Sequence, residues 1–310
     1  MSEQHNFSDL FERSVTLPDP DAKDRLNRLV GMDERIKRLA NVLAVLVNPH
    51  GLQKWFDKHH PAAAGLLDIL QGRAPLAILA GDVGSGKTEL AETIGDRVAR
   101  QEGIDINLFP LSLSSRGQGR VGEMTQLITT AFDHAYSVAS KLKSPNGKAR
   151  GAVILLIDEA DALAQSRESQ QMHHEDRAGV NALIRGIDRL AGDRLPVAVL
   201  MCTNRLNALD PAVRRRAAEI LFFERPTEVQ RFDVLGRWLQ PAGFKKADIA
   251  SIVEITGPQS GRAYGFTFSD LTQRLLPLIV LDAYPECSIE PSRAMELART
   301  LLPTPPFKDV

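Results

Sequence analysis

The sequence predicts an α/β fold: a five-stranded parallel sheet flanked by helices, followed by a small all-helical domain. Two patterns predict it. Five short, almost uninterrupted apolar segments, Leu76–Ala80, Asn107–Leu111, Val153–Ile157, Val197–Cys202 and Ile220–Phe223, alternate with mostly helical spans. Strands that are apolar along their whole length, rather than at every second residue, are buried on both faces, as in parallel sheets joined by crossover helices. After Pro226 the strand pattern stops, and only helical spacing continues to about Leu302.

Taken in order, the first 28 residues are polar apart from Phe7, Leu10 and Phe11, and pass through a turn-rich Leu17-Pro18-Asp19-Pro20. They read as an arm, either flexible or docking a partner. Ile36, Leu39, Leu43, Leu46 and Val47 recur at helical spacing, and Asn48-Pro49 stops that helix. The first strand runs into a glycine-rich loop and a helix over Glu89–Gln101. Lys141–Gly151, rich in Lys, Gly, Pro and Asn, reads as a surface insertion. Val180, Leu183, Ile184, Ile187 and Leu190 mark one face of the helix in the third crossover. Beyond Pro226, Thr227 and Gln230 fit a capping box opening a helix through Leu239. Helices follow at Asp248–Ile255, at Ser269–Ala283 with a kink or break near Pro277, and at Ser292–Leu302. The expected organisation is an arm over 1–28, a large α/β domain over 29–225 and a helical lid over 226–310.

Composition excludes several classes. Of 310 residues, 43% are hydrophobic and 25% charged, as in ordinary globular proteins. Lys plus Arg is 38 against 39 Asp plus Glu, a net charge of −1, so no global basic excess exists to hold nucleic acid or an anionic membrane. The longest apolar runs, Ala152–Ile157 and Val197–Cys202, fall far short of the roughly 18 residues of a spanning helix. The first residues, MSEQHNFSDLFE, show neither a basic leader nor an apolar core, and the two cysteines, Cys202 and Cys287, make no disulfide framework. A cytoplasmic location is expected.

Four segments carry chemistry. Gly81-Asp82-Val83-Gly84-Ser85-Gly86-Lys87-Thr88 matches GxxxxGK followed by Ser or Thr, between a predicted strand and a predicted helix. Its glycines let backbone N–H groups close around phosphate oxygens at a helix amino terminus, Lys87 reaches the β- and γ-phosphates, and the Thr88 hydroxyl takes a Mg2+ position. The apolar strand Ile154–Ile157 ends in Asp158-Glu159, where Asp158 suits the Mg2+ shell and Glu159 the polarisation of an attacking water. Asn204, ending the next apolar strand, either orients that water or senses the γ-phosphate, or else simply forms a turn. Arg214-Arg215-Arg216 follow closely, either as a solvated helix face or as the source of an arginine supplied in trans to a γ-phosphate. No asparagine-lysine-x-aspartate guanine motif is present, which disfavours a GTPase.

Together these segments, in this order and followed by a helical lid, resemble the AAA+ ATPases over about residues 28–302. The resemblance implies a P-loop α/β domain with a small lid, a homo-hexameric ring, and ATP with Mg2+ between subunits. It places Leu29-Val30-Gly31-Met32 at the adenine pocket, makes Asn204 the sensor asparagine, and makes Arg215 or Arg216 the finger. Val180–Leu190 and Arg216-Ala217-Ala218-Glu219 are similar to the pachytene-checkpoint branch, which converts HORMA-domain proteins from a closed to an open state. Short bacterial relatives act in antiphage (CBASS) operons beside a HORMA protein and a cyclic-oligonucleotide synthase, switching that signalling off, and the chain is most similar to these. The resemblance thus implies a HORMA-domain client, with or without its bound peptide or the synthase. It also places a pore loop at Arg120-Val121-Gly122, with Arg where the family usually carries an aromatic, and a second one within Arg167–Arg177. Phe268-Ser269-Asp270-Leu271 resembles lids without a second sensor arginine, for which Arg274 could substitute. A motor or loader acting on nucleic acid is the competing expectation. Arg116 and Arg120 and the insertion's Lys141, Lys143, Lys148 and Arg150 favour it; the net charge and the lack of a reading module oppose it.

Overall fold

The computed structural model describes residues 10–11, 13–113, 122–144, 148–162 and 174–307, without the side chains of 174–177. The chain forms two compact units. The first takes in the described parts of Met1–Arg28, Asp33–Ala80 and Thr88–Phe222; the second those of Leu29–Met32, Gly81–Lys87 and Phe223–Val310.

Among the described residues the sheet has six strands: β1 (Val15–Leu17), β2 (Leu76–Gly81), β3 (Asp105–Ser112), β4 (Gly151–Asp158), β5 (Val197–Thr203) and β6 (Glu219–Phe223), in the order β1-β3-β4-β5-β2-β6. All five predicted strands are present. β3, β4, β5 and β2 run parallel, with Leu111 opposite Ile157, Ile157 opposite Met201 and Met201 opposite Ile78. Their carboxyl ends therefore share one edge. Leu76, Ile78, Val153, Leu155, Ile157, Val197, Val199 and Met201 join Ile128, Phe132, Leu183 and Ile187 in one core. The intervening Ala77, Leu79, Ile154, Leu156, Ala198 and Leu200 point to the opposite face and are equally buried. Both faces are covered, which explains the absence of apolar–polar alternation. Helix Glu123–Leu142 can approach helix His174–Gly192 closely because residue 186 is Gly: a Cβ there would lie 2.4 Å from the Phe132 ring.

The sixth strand corrects the expectation of a purely parallel sheet and of an arm outside it. β1 pairs antiparallel with β3, Val15 opposite Leu108 and Leu17 opposite Ile106. Three residues are too few to show a period, and what holds them comes from far along the chain. Leu17 is fully buried against helix Lys87–Glu102, where a Cβ on Gly95 would lie 2.5 Å from Leu17 Cδ1. The Asp19 N–H donates to Asp96 Oδ1 (2.8 Å), and Asp19 Oδ2 accepts from the Ala22 N–H (2.8 Å), opening helix Pro20–Arg28. Arg25 donates to both carboxylate oxygens of Glu89 (2.8 Å each) and to Glu92 (2.6 Å). Helix Asp33–Val47 ends at Asn48 as expected, and Pro49 then starts a further helix, Pro49–His59.

The second unit packs helices Glu228–Leu239, Lys246–Thr256, Leu276–Ala283 and Pro291–Thr300 around Leu235, Ile249, Ile252, Phe266, Leu271 and Ile279. The capping box is complete: Thr227 Oγ1 accepts from the Gln230 N–H, and Gln230 Oε1 accepts from the Thr227 N–H. Of the two expectations near Pro277, a kink or a break, the break does not occur. One π-helical stretch, Asp270–Leu275, runs straight into Leu276–Ala283, and the Leu276 N–H donates to Leu271 O. The wider turn absorbs the irregularity that a proline near the start of a helical segment requires.

Asp270, fully buried, ties this unit together. Its carboxylate accepts from the Thr267 N–H (3.0 Å), from the N–H and hydroxyl of Thr304 (3.0 and 2.7 Å) and from Arg274 Nη1 (2.7 Å). Burial opposes the charge, but these donors outweigh it and hold the carboxyl below its ordinary value. A depressed folded pKa stabilises above the unfolded value of about 3.9, and that contribution is lost as pH falls through the folded value. Asp270→Asn is expected to destabilise this unit by about 2–3 kcal/mol at pH 7. In calorimetric Tm profiles the difference from the native protein should shrink below about pH 4.

Candidate functional site

The glycine-rich loop Gly81–Lys87 leaves β2 and enters helix Lys87–Glu102. Gly81, Gly84 and Gly86 have φ of +151°, +68° and +91°. A Cβ on Gly81 would lie 1.9 Å from the Phe223 carbonyl oxygen, and one on Gly84 would lie 2.8 Å from Thr267 Oγ1 and 2.9 Å from Ser269 Cβ. The loop is thus a backbone cradle that side chains would fill. Within it the buried Lys87 donates from Nζ to Gly81 O (3.0 Å), Asp82 O (2.7 Å) and Ser85 Oγ (3.3 Å). Ser85 Oγ donates to Asp82 O at 2.7 Å. A buried ammonium among loop carbonyls, with left-handed glycines at a helix amino terminus, fits a phosphate chain. Thr88 follows, exposed, at the start of the helix.

Leu29–Met32 lie in the same unit as the loop. A Cβ on Gly86 would lie 2.7 Å from Met32 Cε, and Gly31 (φ +67°) accepts at its carbonyl from Gln230 Nε2 at 3.0 Å. Gly31 is therefore tied to helix Glu228–Leu239 by a bond that sequence spacing could not reveal.

The acidic strand end belongs to the first unit. Asp158 closes β4 opposite Ser112, and its Oδ1 accepts from the Glu159 N–H at 2.8 Å. Glu159 is exposed with φ +53°, a conformation that side-chain-bearing residues avoid, and its Oε2 accepts from Ser112 Oγ at 3.0 Å. The Ala160 N–H donates to Cys202 O (2.9 Å) and anchors the turn on β5. Asn204 follows β5 directly. Its N–H, at 3.2 Å, and the Thr203 hydroxyl, at 3.4 Å, donate to the buried Asp161. Ser112 and Asp161 were not singled out by sequence, since neither sits in a spaced motif.

Asp210 caps the short helix Pro211–Arg214, accepting from the Ala212 N–H at 2.7 Å. Arg216 forks onto Asp188 (2.7 and 2.8 Å) and donates to Ala212 O, whereas Arg215 is exposed. Hydrogen bonding to Asp188 raises the Arg216 pKa, so it stays charged. Arg274, weighed as a second sensor, donates to Asp270.

Gly122 starts helix Glu123–Leu142 with φ +82°, while Arg120, Val121 and the span 163–173 lie outside the described residues, as does Arg116. Among the described residues no group of three His, Cys, Asp or Glu could hold a metal ion, and no helix is long and apolar enough to cross a membrane. Three of the insertion's four basic residues bind the protein's own backbone: Lys143 Nζ donates to Asp193 O, Lys148 Nζ to Gly103 O and Arg150 Nη2 to Lys141 O. That reduces the support for a nucleic-acid surface there.

The family model for the ATPase family associated with various cellular activities (AAA) matches residues 77–225. CD-NTase-associated protein 6 of Escherichia coli strain MS 115-1 is 59% identical over 309 residues, 100% of this chain and 99% of that protein. A chain of the E. coli MS115-1 HORMA:CdnC:Trip13 complex matches with TM-score 0.88 and 58% identity, covering 96% of this chain and 97% of that one. Rhizobiales Trip13 matches with TM-score 0.74 and 54% identity over 96% and 100% of the two chains.

Gly84→Ala tests the cradle. A Cβ at φ +68° against Thr267 and Ser269 costs about 1–2 kcal/mol and closes the loop. Binding of a fluorescent ATP analogue should weaken at least about tenfold, while far-ultraviolet circular dichroism stays native.

Proposed function

This chain belongs to the AAA ATPase family, and on that premise we propose that it is an ATP-driven protein remodeller acting on a HORMA-domain partner in an antiphage (CBASS) system. The observation that carries the reading is the end-to-end similarity to the chain from the HORMA:CdnC:Trip13 complex, taken with an intact phosphate loop and acidic strand end. The client is a HORMA-fold protein, with or without a bound peptide or the cyclic-oligonucleotide synthase. Converting it from closed to open withdraws it from signalling.

In this reading the backbone N–H groups of 81–87 hold the ATP phosphates and Lys87 turns from the loop carbonyls to neutralise them. Thr88 and Asp158 offer the hydroxyl and carboxylate oxygens that Mg2+ takes, and the ion supplies charge neutralisation on the phosphates. Glu159 accepts a proton from the attacking water, and Ser112 fixes that carboxylate's orientation through Oε2. Asn204, aimed by Asp161 at its backbone, orients the same water. Arg215 or Arg216 acts on the γ-phosphate of a neighbouring subunit in a cytoplasmic homo-hexameric ring. For Arg216 that role requires leaving Asp188. Arg120, Val121 and Gly122 line the pore and touch the client. Arg120 selects acidic or carbonyl-rich segments, where an aromatic would grip any chain. Residues 29–225 then form the ATPase domain and 226–310 the lid.

Tagged Glu159→Gln is the trap for this function. It should bind ATP with Mg2+, lose at least about a hundredfold in turnover, and co-purify a HORMA-fold protein in stoichiometric amount after nuclease treatment. Unchanged turnover would remove Glu159 from its role. Nuclease-sensitive nucleic acid with no protein client would replace the remodeller with a nucleic-acid motor. Arg215→Ala and Arg216→Ala, each mixed with the native protein, separate the two finger candidates. The true finger variant depresses the activity of mixed rings beyond simple dilution, and the other does not.

A further inference from the structure

Gathering backbone N–H groups around phosphates favours a loop without negative charge, yet the second residue of this one is Asp82. Its carboxylate is deeply engaged. Oδ1 accepts from the Val83 N–H (2.8 Å) and the Phe307 N–H (3.4 Å), and Oδ2 accepts from Arg225 Nε at 2.6 Å. The side chains of Arg225 and Asp82 are only 14% and 17% exposed. Arg225 also donates from Nη1 to Gly265 O (2.6 Å), and its guanidinium lies 4.8 Å from the Tyr264 ring centroid. Gly265 precedes Phe266, which is fully buried in the helical core, so Arg225 holds Asp82 against a rigid support. Nη2 is buried with no hydrogen-bond partner, so the guanidinium is packed around its bond to Asp82 and not around full satisfaction of its own donors.

Three hydrogen-bond donors of the loop depend on residue 82. The Val83 N–H is bonded to its carboxylate, and Lys87 Nζ and Ser85 Oγ are bonded to its carbonyl. Where Asp82 points, and whether its charge is balanced, therefore decides what a phosphate chain meets. We propose that Arg225 is a positioning residue for ATP: by pairing with Asp82 it cancels the one negative charge of the phosphate loop and keeps that carboxylate turned toward its own guanidinium. The inference rests on the ATPase reading and adds to it a determinant of nucleotide affinity 143 residues away in sequence. No spacing rule connects the two residues.

The test measures binding of methylanthraniloyl-ATP with Mg2+ by the full chain in the Glu159→Gln background, and steady-state hydrolysis with Glu159 intact. Arg225→Ala should weaken binding about tenfold or more and raise KM correspondingly, with kcat at saturating ATP changed less than about twofold. Arg225→Ala combined with Asp82→Asn should recover the lost affinity, because the charge that needed cancelling is gone. Asp82→Asn alone should bind at least as tightly as the parent, a readout available even if Arg225→Ala does not fold. The proposal is overturned if Arg225→Ala binds like the parent, if the double variant stays as weak as Arg225→Ala, or if Asp82→Asn alone weakens binding. A parent protein that binds no nucleotide would overturn the ATPase reading and this one with it. A parent that binds while any of the three variant results fails would overturn this inference alone.

Discussion

The phosphate loop depends on a contact too close for any side chain, that between Gly81 and the carbonyl oxygen of Phe223, 1.9 Å from where a Cβ would stand. The same carbonyl accepts the Asp82 N–H at 3.2 Å, so the end of β6 fixes how the chain turns off β2. From there the loop closes on itself through Lys87 and Ser85. It is gripped from outside at residue 84, where Ser269 donates its N–H to Gly84 O and Thr267 fills the space a Cβ would need. Preorganised backbone donors stabilise an anion best when they need no reorganisation on binding, and these packed contacts hold the loop's backbone in place.

The sheet contributes a different constraint. In-register parallel pairing of β3, β4, β5 and β2 brings Ser112, Asp158 and Thr203 to one edge, beyond which Glu159 and Asn204 leave the strands. Burial of both faces makes that edge stiff, because shifting one strand would displace fully packed residues such as Ile157, Leu200 and Ile78. Glu159 is held in a left-handed conformation there; the bond it accepts from Ser112 and the one its N–H donates to the Asp158 carboxylate define the turn that carries it. Strain of this kind persists where the surroundings over-determine it.

How far the sequence could be read follows from the range of the interactions. The capping box at Thr227 and Gln230 involves residues three apart and was legible; so were the strands, whose apolar runs are continuous because both faces are covered. β1 was not legible. Its three residues acquire meaning only opposite Ile106–Leu108 and beneath Gly95. The irregularity at Pro277 was legible, but its resolution into a π-helical stretch was not, since a break satisfies the same local rule. Among the candidate site residues, the glycine-rich loop, Asp158, Glu159 and Asn204 are marked in the sequence by residue type at strand ends. Ser112, Asp161 and Arg225 make bonds across 47, 43 and 143 residues and carry no motif.

By itself the sequence determined the α/β class, the carboxyl-terminal helices and the AAA membership, because glycine placement, paired carboxylates and apolar runs are local patterns. Tertiary structure alone decided that the amino-terminal segment joins the sheet, that Arg216 is bonded to Asp188 while Arg215 is exposed, and that the charge of Asp82 is met by Arg225. Charge pairing and strand addition are choices among distant partners, and only folding brings those partners within a few ångströms of one another.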